Sequence, residues 1–224
     1  MRSSRLTSTV VEVLVASPFG GLMKGYVDPA MKDAGFVRTR SWLWSMASPQ
    51  GHAVFVEMRP NPLTPKFGFY VEWAPVPVVL MDYFGSGAQP GRSEIGWGLI
   101  STHLTPPADL AWEPSGMMPM WGFYPDRVDE YGLRLRDHFQ GVAIPRWKRF
   151  LDLPTLAEEF YRRTDLEFFL TTRGYGEDFG KVILEVDDGD PQELEKLIDE
   201  LIAAGGDRDL LEWLRRRLHA RSVG

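Results

Sequence analysis

The stretch Met31-Lys32-Asp33-Ala34-Gly35-Phe36-Val37-Arg38-Thr39-Arg40-Ser41-Trp42-Leu43-Trp44-Ser45 contains the change of period that decides the fold. Upstream, Leu22, Tyr26, Val27 and Ala30 recur at helical spacing, and Gly35 stands where a helix C-cap needs a residue free to adopt positive φ. From Phe36 onward, Phe36, Arg38, Arg40, Trp42 and Trp44 alternate with Val37, Thr39, Ser41, Leu43 and Ser45, which is the period of a β-strand. The stretch predicts a helix ending at Gly35 and one strand over 36–45. Asp28-Pro29 removes a backbone donor inside that helix, so a kink, or a start at Pro29, is expected. Farther upstream, the Val-rich residues 10–15 read as helix.

Downstream, Ser48-Pro49-Gln50-Gly51 supplies turn chemistry, and residues 53–59 read as a second strand with Val54, Val56 and Met58 on one face. Asn61-Pro62 and Thr64-Pro65 break the chain before a third strand over 67–73. Residues 76–83 read as a fourth strand, with Pro77 at its edge. Residues 85–122 are rich in Gly, Pro, Trp and Met and show little periodicity, apart from a short element around 97–103. Helices return at Pro125, with Asp126 as the cap and Val128, Tyr131, Leu135 and Phe139 as the apolar stripe. A short helix over 145–151 precedes one capped by Thr155 and Glu158. The clearest element is the last: Asp190 caps, Pro191 opens the helix, Leu194, Leu197, Ile198, Leu201 and Ile202 line one face, and Gly205-Gly206 ends it. Asp207 then caps a helix striped by Leu210, Leu211, Leu214 and Leu218.

The 224 residues carry 44% hydrophobic and 25% charged residues, the composition of an ordinary globular chain able to bury a core. A formal charge of −6 gives no overall electrostatic footprint for nucleic acid. The absence of Cys excludes disulfides, Cys-based zinc sites and thiol nucleophiles, and places the expected location in the cytoplasm. The apolar residues 9–16 are interrupted by Glu12, and no apolar run approaches the length of a membrane span, so neither a signal peptide nor a spanning helix is expected. Between Glu177 and Glu200 lie ten acidic residues and two lysines, which leaves the remainder of the chain slightly basic. That shift places a boundary near 175, giving an aromatic-rich α+β domain over 1–175 and a helical subdomain over 176–224.

The chemical motifs are sparse. Gly85-Ser86-Gly87-Ala88-Gln89-Pro90-Gly91 has Pro90 where a dinucleotide fingerprint needs glycine, and Gly180-Lys181 lacks the rest of a P-loop. The four histidines, His52, His103, His138 and His219, show no metal-pair spacing, so no metal or cofactor is expected. His103, in the irregular region, is the best candidate for acid–base work. Glu57, Glu72 and Asp82 are embedded in apolar strand sequence, where a carboxylate either faces solvent or sits in a groove as a general base with raised pKa. Arg38, Arg40 and Arg59, with Trp42, Trp44 and Trp73, are the candidate ligand-binding set of an aromatic-lined groove. Met117, Met118 and Met120 between Trp112 and Trp121 form a deformable apolar loop. Arg146-Trp147-Lys148-Arg149 reads as a solvated helix face.

The stretch Met31 to Trp42, a helix closing in Gly-Phe and opening a basic, aromatic strand, resembles the bacterial domain-of-unknown-function family 4304. The strand Phe69-Tyr70-Val71-Glu72 and the placement of helices toward the C-terminus are similar to that family as well. The likeness covers about the first 85 residues. It implies an α+β domain with a helical end, and it brings no activity and no catalytic residue with it.

The expected fold is α+β, an antiparallel β-meander sheet packed with helices plus a C-terminal helical hairpin. Two functions are open. One is a non-catalytic protein-binding module of immunity or regulatory type, in which the aromatic sheet or the acidic residues Glu185, Asp187, Asp188, Glu193 and Glu200 engage a basic partner. The other is a small metal-independent enzyme acting on a polar ligand through His103 and one of Glu57, Glu72 and Asp82.

Overall fold

A computed structural model describes residues 18–61, 68–85, 94–113, 119–122, 125–162 and 175–221. The expected helix at 10–15 lies outside them, as do most of the Gly-rich run at 85–91 and the loop residues Met117 and Met118. The described residues begin with α1 (Pro18–Leu22), a π-helical turn (Met23–Val27) and α2 (Asp28–Asp33) in one continuous run. The π-turn answers the problem posed by Pro29. Asp28 N–H reaches back five residues to the Met23 carbonyl, which widens the turn ahead of the ring. Gly35, at φ 93°, then closes the helix in a Schellman motif, with Gly35 N–H on the Lys32 carbonyl and Phe36 N–H on the Met31 carbonyl, both at 2.9 Å.

The single strand expected over 36–45 is two: β1 (Val37–Arg40) and β2 (Leu43–Ala47), paired antiparallel with Arg38 opposite Trp44. The reversal falls at Ser41-Trp42, where Trp42 takes φ 60°. No Gly, Asn or Asp marks this turn, so alternation ran through it unbroken in the sequence. Next come β3 (Ala53–Pro60) and β4 (Gly68–Val76). The fourth strand expected over 76–83 is instead α3 (Val78–Gly85). The Pro77 carbonyl accepts from Leu80 and Met81 N–H at 3.0 Å, and His52 Nδ1 accepts from Val78 N–H at 3.1 Å, so the first turn of the helix is satisfied despite its β-branched valines.

Within the region that showed no period lie β5 (Thr102–His103), β6 (Ala111–Trp112) and β7 (Met120–Gly122). Among the described residues the antiparallel sheet has the order β1-β2-β3-β4-β7-β6, with β5 on β4, so β1 forms one edge of it. A second helical run follows: α4 (Val128–His138), a π-turn (Phe139–Ala143) and α5 (Ile144–Arg149). It repeats the earlier device, since Ile144 N–H reaches the Phe139 carbonyl immediately before Pro145. The expected separate helix at 145–151 is thus the end of this run. Arg127, not Asp126, is its N-cap residue, and no side chain caps there.

Next comes α6 (Leu153–Arg162), whose cap is Asp152 rather than Thr155: the carboxylate accepts from Thr155 N–H at 3.1 Å and from its hydroxyl at 2.7 Å. The described residues end with α7 (Glu177–Glu185), α8 (Pro191–Ala203) and α9 (Arg208–Arg221). As the sequence predicts, Asp190 caps α8 through Gln192 and Glu193 N–H, and Gly205 ends it at φ 85°.

The described residues form two compact units, one within 1–46, 55–73 and 103–148, the other within 47–54, 74–102 and 149–224. The first unit is centred on a chain of rings, Trp42–Phe19–Phe69–Trp121–Phe139–Trp147–Phe36, with successive centroids 5.4–6.3 Å apart. All seven are buried. The second unit buries Val79, Leu80 and Tyr83 of α3 and the stripes of α7, α8 and α9, including Val182, Ile183, Leu194, Ile198, Leu211 and Leu214. Among the described residues no helix is long and apolar enough to cross a membrane.

Candidate functional site

Strand alternation sorts the candidate residues of the first unit by face. On β4, Phe69, Val71 and Trp73 are fully buried, while Tyr70 and Glu72 point to the other side and are half-buried. Glu57 and Arg59 alternate likewise on β3, with Val56 and Met58 in the core. Strand β5 is anchored by Leu104 N–H on the Val71 carbonyl at 2.8 Å, and it brings His103 to Glu72. His103 Nε2 lies 3.4 Å from Glu72 Oε1, and the His103 ring meets Tyr70 edge-on at 5.3 Å between centroids. Arg59 donates through Nη2 to the same Glu72 oxygen. Burial lowers the pKa of His103, and the Arg59 cation lowers it further, both favouring the uncharged imidazole.

Of the three carboxylates expected beside His103, the structure places Glu72 there. Glu57 is half-buried on β3. Asp82 is not on a strand: it is exposed on α3 and accepts from Arg217 Nη1 at 2.7 Å. Trp73 is a core residue with the Arg146 guanidinium 5.8 Å from its ring centroid, on the opposite face of β4 from Arg59's partner. Among the described residues, no group of three or more His, Asp or Glu side chains could hold a metal ion.

Arg38, Trp42 and Trp44 assemble elsewhere in that unit, at the β1–β2 hairpin. The Arg38 guanidinium lies 4.5 Å from the Trp42 ring centroid and 5.9 Å from that of Trp44. Asp28 organises this cluster. One carboxylate oxygen takes Arg38 Nη1 at 2.9 Å, and the other takes the Trp44 indole N–H at 3.1 Å. Beside it opens a cleft of about 430 Å³ lined by Asp28, Lys32, Phe36, Val37, Arg38 and Trp44. Arg40 is exposed at the end of β1, its carbonyl accepting from Arg38 Nε. Sequence reasoning missed Asp28, Lys32, Phe36 and Val37 as a set. The only available signal was helical spacing, which puts Asp28 and Lys32 one turn apart on the helix that leads into β1.

The acidic residues of the second unit are largely engaged. Glu185 accepts from the Tyr161 hydroxyl at 2.9 Å, and burial together with that carboxylate raises the Tyr161 pKa. Asp187 holds Arg217 through two bonds of 2.6 and 2.8 Å, and Lys181 donates to Glu193 at 2.5 Å. Glu200 lies 3.6 Å from Lys196. Asp188 is exposed. No family model, no curated protein and no solved structure matches this chain.

Proposed function

We propose that this chain is a non-catalytic protein-binding module of the cytoplasm that takes an extended segment of a partner along β1. The observation that carries the reading is the position of that strand. Among the described residues it forms the sheet edge, its four residues Val37 to Arg40 are all exposed, and the cleft of Phe36, Val37 and Trp44 lies beside it. An edge strand offers backbone donors and acceptors to a further strand, while the adjacent cleft gives side-chain selectivity. Val37, 65% exposed, is an apolar side chain on an otherwise polar edge.

Charge complementarity favours a partner segment of acidic character, since Lys32 and Arg38 line the cleft with Asp28 as the one carboxylate among its described lining residues. A basic partner drawn to residues 177–200 has less support, because Glu185, Asp187, Glu193 and Glu200 already have partners within the chain. Occlusion of an acidic surface suits a regulatory or immunity role. Replacing Val37 with the photo-crosslinker p-benzoylphenylalanine tests the site. A polypeptide adduct formed at that position and not at the equally substituted Leu133 supports the reading, and equal or absent labelling at the two positions refutes it.

A second reading, a metal-independent acid–base enzyme, is favoured by His103, with its lowered pKa, beside Glu72. Arg59 already occupies that carboxylate, which weakens it as an imidazole partner. If turnover of a polar substrate is found, His103→Ala abolishes it with the fold intact on this reading, and retained turnover removes His103 from the chemistry.

A further inference from the structure

Two cations at the cleft have capacity left over. Among the described residues, Arg38 gives Nη1 to Asp28 and Nε to the Arg40 carbonyl, so both N–H groups of Nη2 are without an acceptor. Lys32 makes no ion pair among the described residues, although it lines the same cleft. The Arg38 fork is also held in place. Its guanidinium is stacked on Trp42 and Trp44 and tethered by Asp28, and Asp28 is fixed in turn by the Trp44 indole. A cation ordered in this way, with donors in hand, loses little conformational entropy on meeting a carboxylate. Beside it, Val37 is the exposed apolar residue of the cleft, with the buried Phe36 and Trp44 beneath its floor.

We infer that the partner segment presents an Asp or Glu side chain to Arg38 Nη2 and Lys32, with an apolar residue next to it against Val37 in the same cleft. This rests on the reading of β1 as the docking edge. Asp28 is a positioning residue here: it aims Arg38 by one nitrogen and leaves the other to the ligand. A charge-assisted bond of this kind accounts for roughly a tenfold preference for a carboxylate over its neutral amide.

A displayed library of random seven-residue peptides, panned against the wild-type protein and against Lys32→Gln and Arg38→Gln, separates the possibilities. The far-ultraviolet spectrum and melting temperature of each variant establish that it is folded. The expected result is an enriched motif with one acidic position next to an apolar one, lost in panning on Arg38→Gln and weakened on Lys32→Gln. Synthetic peptides of that motif should bind about tenfold more tightly with Glu than with Gln at the acidic position. A motif with no acidic position overturns the inference and leaves the docking edge standing. The absence of any enriched motif overturns both. An acidic motif that survives both substitutions also overturns the inference, since the carboxylate is then read elsewhere.

Discussion

Gly132 on α4 lies against the ring of Tyr26, so close that a Cβ added at Gly132 would stand 2.1 Å from Tyr26 Cδ2. The approach brings the Tyr26 hydroxyl to Asp129, one turn earlier on the same helix, at 2.7 Å. That bond raises the Tyr26 pKa, because it is lost when the phenol ionises. Two helical runs, each widened by a π-turn ahead of a proline, are thereby locked together.

Gly132→Ala tests that contact against helix propensity. In an exposed helix the change would stabilise by about 1 kcal/mol. Here the ring must move, so a net loss of about 1–3 kcal/mol is expected. Urea denaturation gives the sign directly, and a stabilised Gly132→Ala would show that the ring yields freely. Tyr26→Ala in the Gly132→Ala background should recover part of the loss.

Arg217 reaches two separate carboxylates of the second unit, Asp187 through a bidentate pair and Asp82 through Nη1. It ties α3 and the α7–α8 connection to α9. Each pair is partly exposed, and exposed pairs contribute at most about 1 kcal/mol. The bidentate geometry and the shared guanidinium raise the expected cost of Arg217→Gln to about 1–2 kcal/mol. The difference from wild type should shrink at high salt. A loss that does not change with salt would mean that the contact of the Arg217 guanidinium with Trp213, 5.5 Å from guanidinium carbon to ring centroid, carries the effect.

What the sequence made legible follows the physics of each element. Gly35 and Asp190 act locally, through one backbone conformation and one side-chain cap, and both stand where the residues put them. Trp42 could not be read as a turn residue, because the left-handed conformation it adopts is unfavourable for its type and is held by burial against Phe19. Val78 and Val79 read as strand by their branching, and only a distant residue, His52, supplies the acceptor that starts a helix there. The site divides in the same way. Glu72 and His103 were both visible as residue types, but their meeting depends on β5, two residues long and without a period of its own. Asp28 stood in the sequence as the residue before a proline, one helical turn from Lys32.

Trp121 controls where β5 sits. Its indole N–H donates to the Leu104 carbonyl at 2.8 Å, and its ring lies in the aromatic chain between Phe69 and Phe139. Trp121→Phe keeps a ring in that place and removes the donor, leaving a buried carbonyl unsatisfied at a cost of about 1–3 kcal/mol. Because His103 precedes Leu104, its ring resonances should shift as well. Denaturant titration together with the imidazole proton spectrum reads both effects. A stability loss with unmoved His103 resonances would show that β5 is held by its bond to Val71 alone.

His52 joins stability to pH. Its Nδ1 accepts from Val78 N–H at the start of α3, and the residue is buried. Burial lowers its pKa below the usual 6.5, a change that the Asp152 charge only partly offsets. In the unfolded chain the imidazole regains its ordinary pKa, so as pH falls through about 6.5 the unfolded state takes up a proton before the folded state does. The stabilisation is therefore complete above pH 6.5 and is lost as pH falls from there toward the folded-state pKa. His103 and His138, whose pKa values are also lowered by burial, act in the same direction. Gln at position 52 keeps an acceptor but has no proton to gain. His52→Gln should start somewhat less stable at pH 7.5 and lose less of its urea midpoint than wild type on going to pH 5.5. If the two proteins lose equal amounts, His52 is not a source of the acid sensitivity, and the start of α3 does not depend on a neutral imidazole.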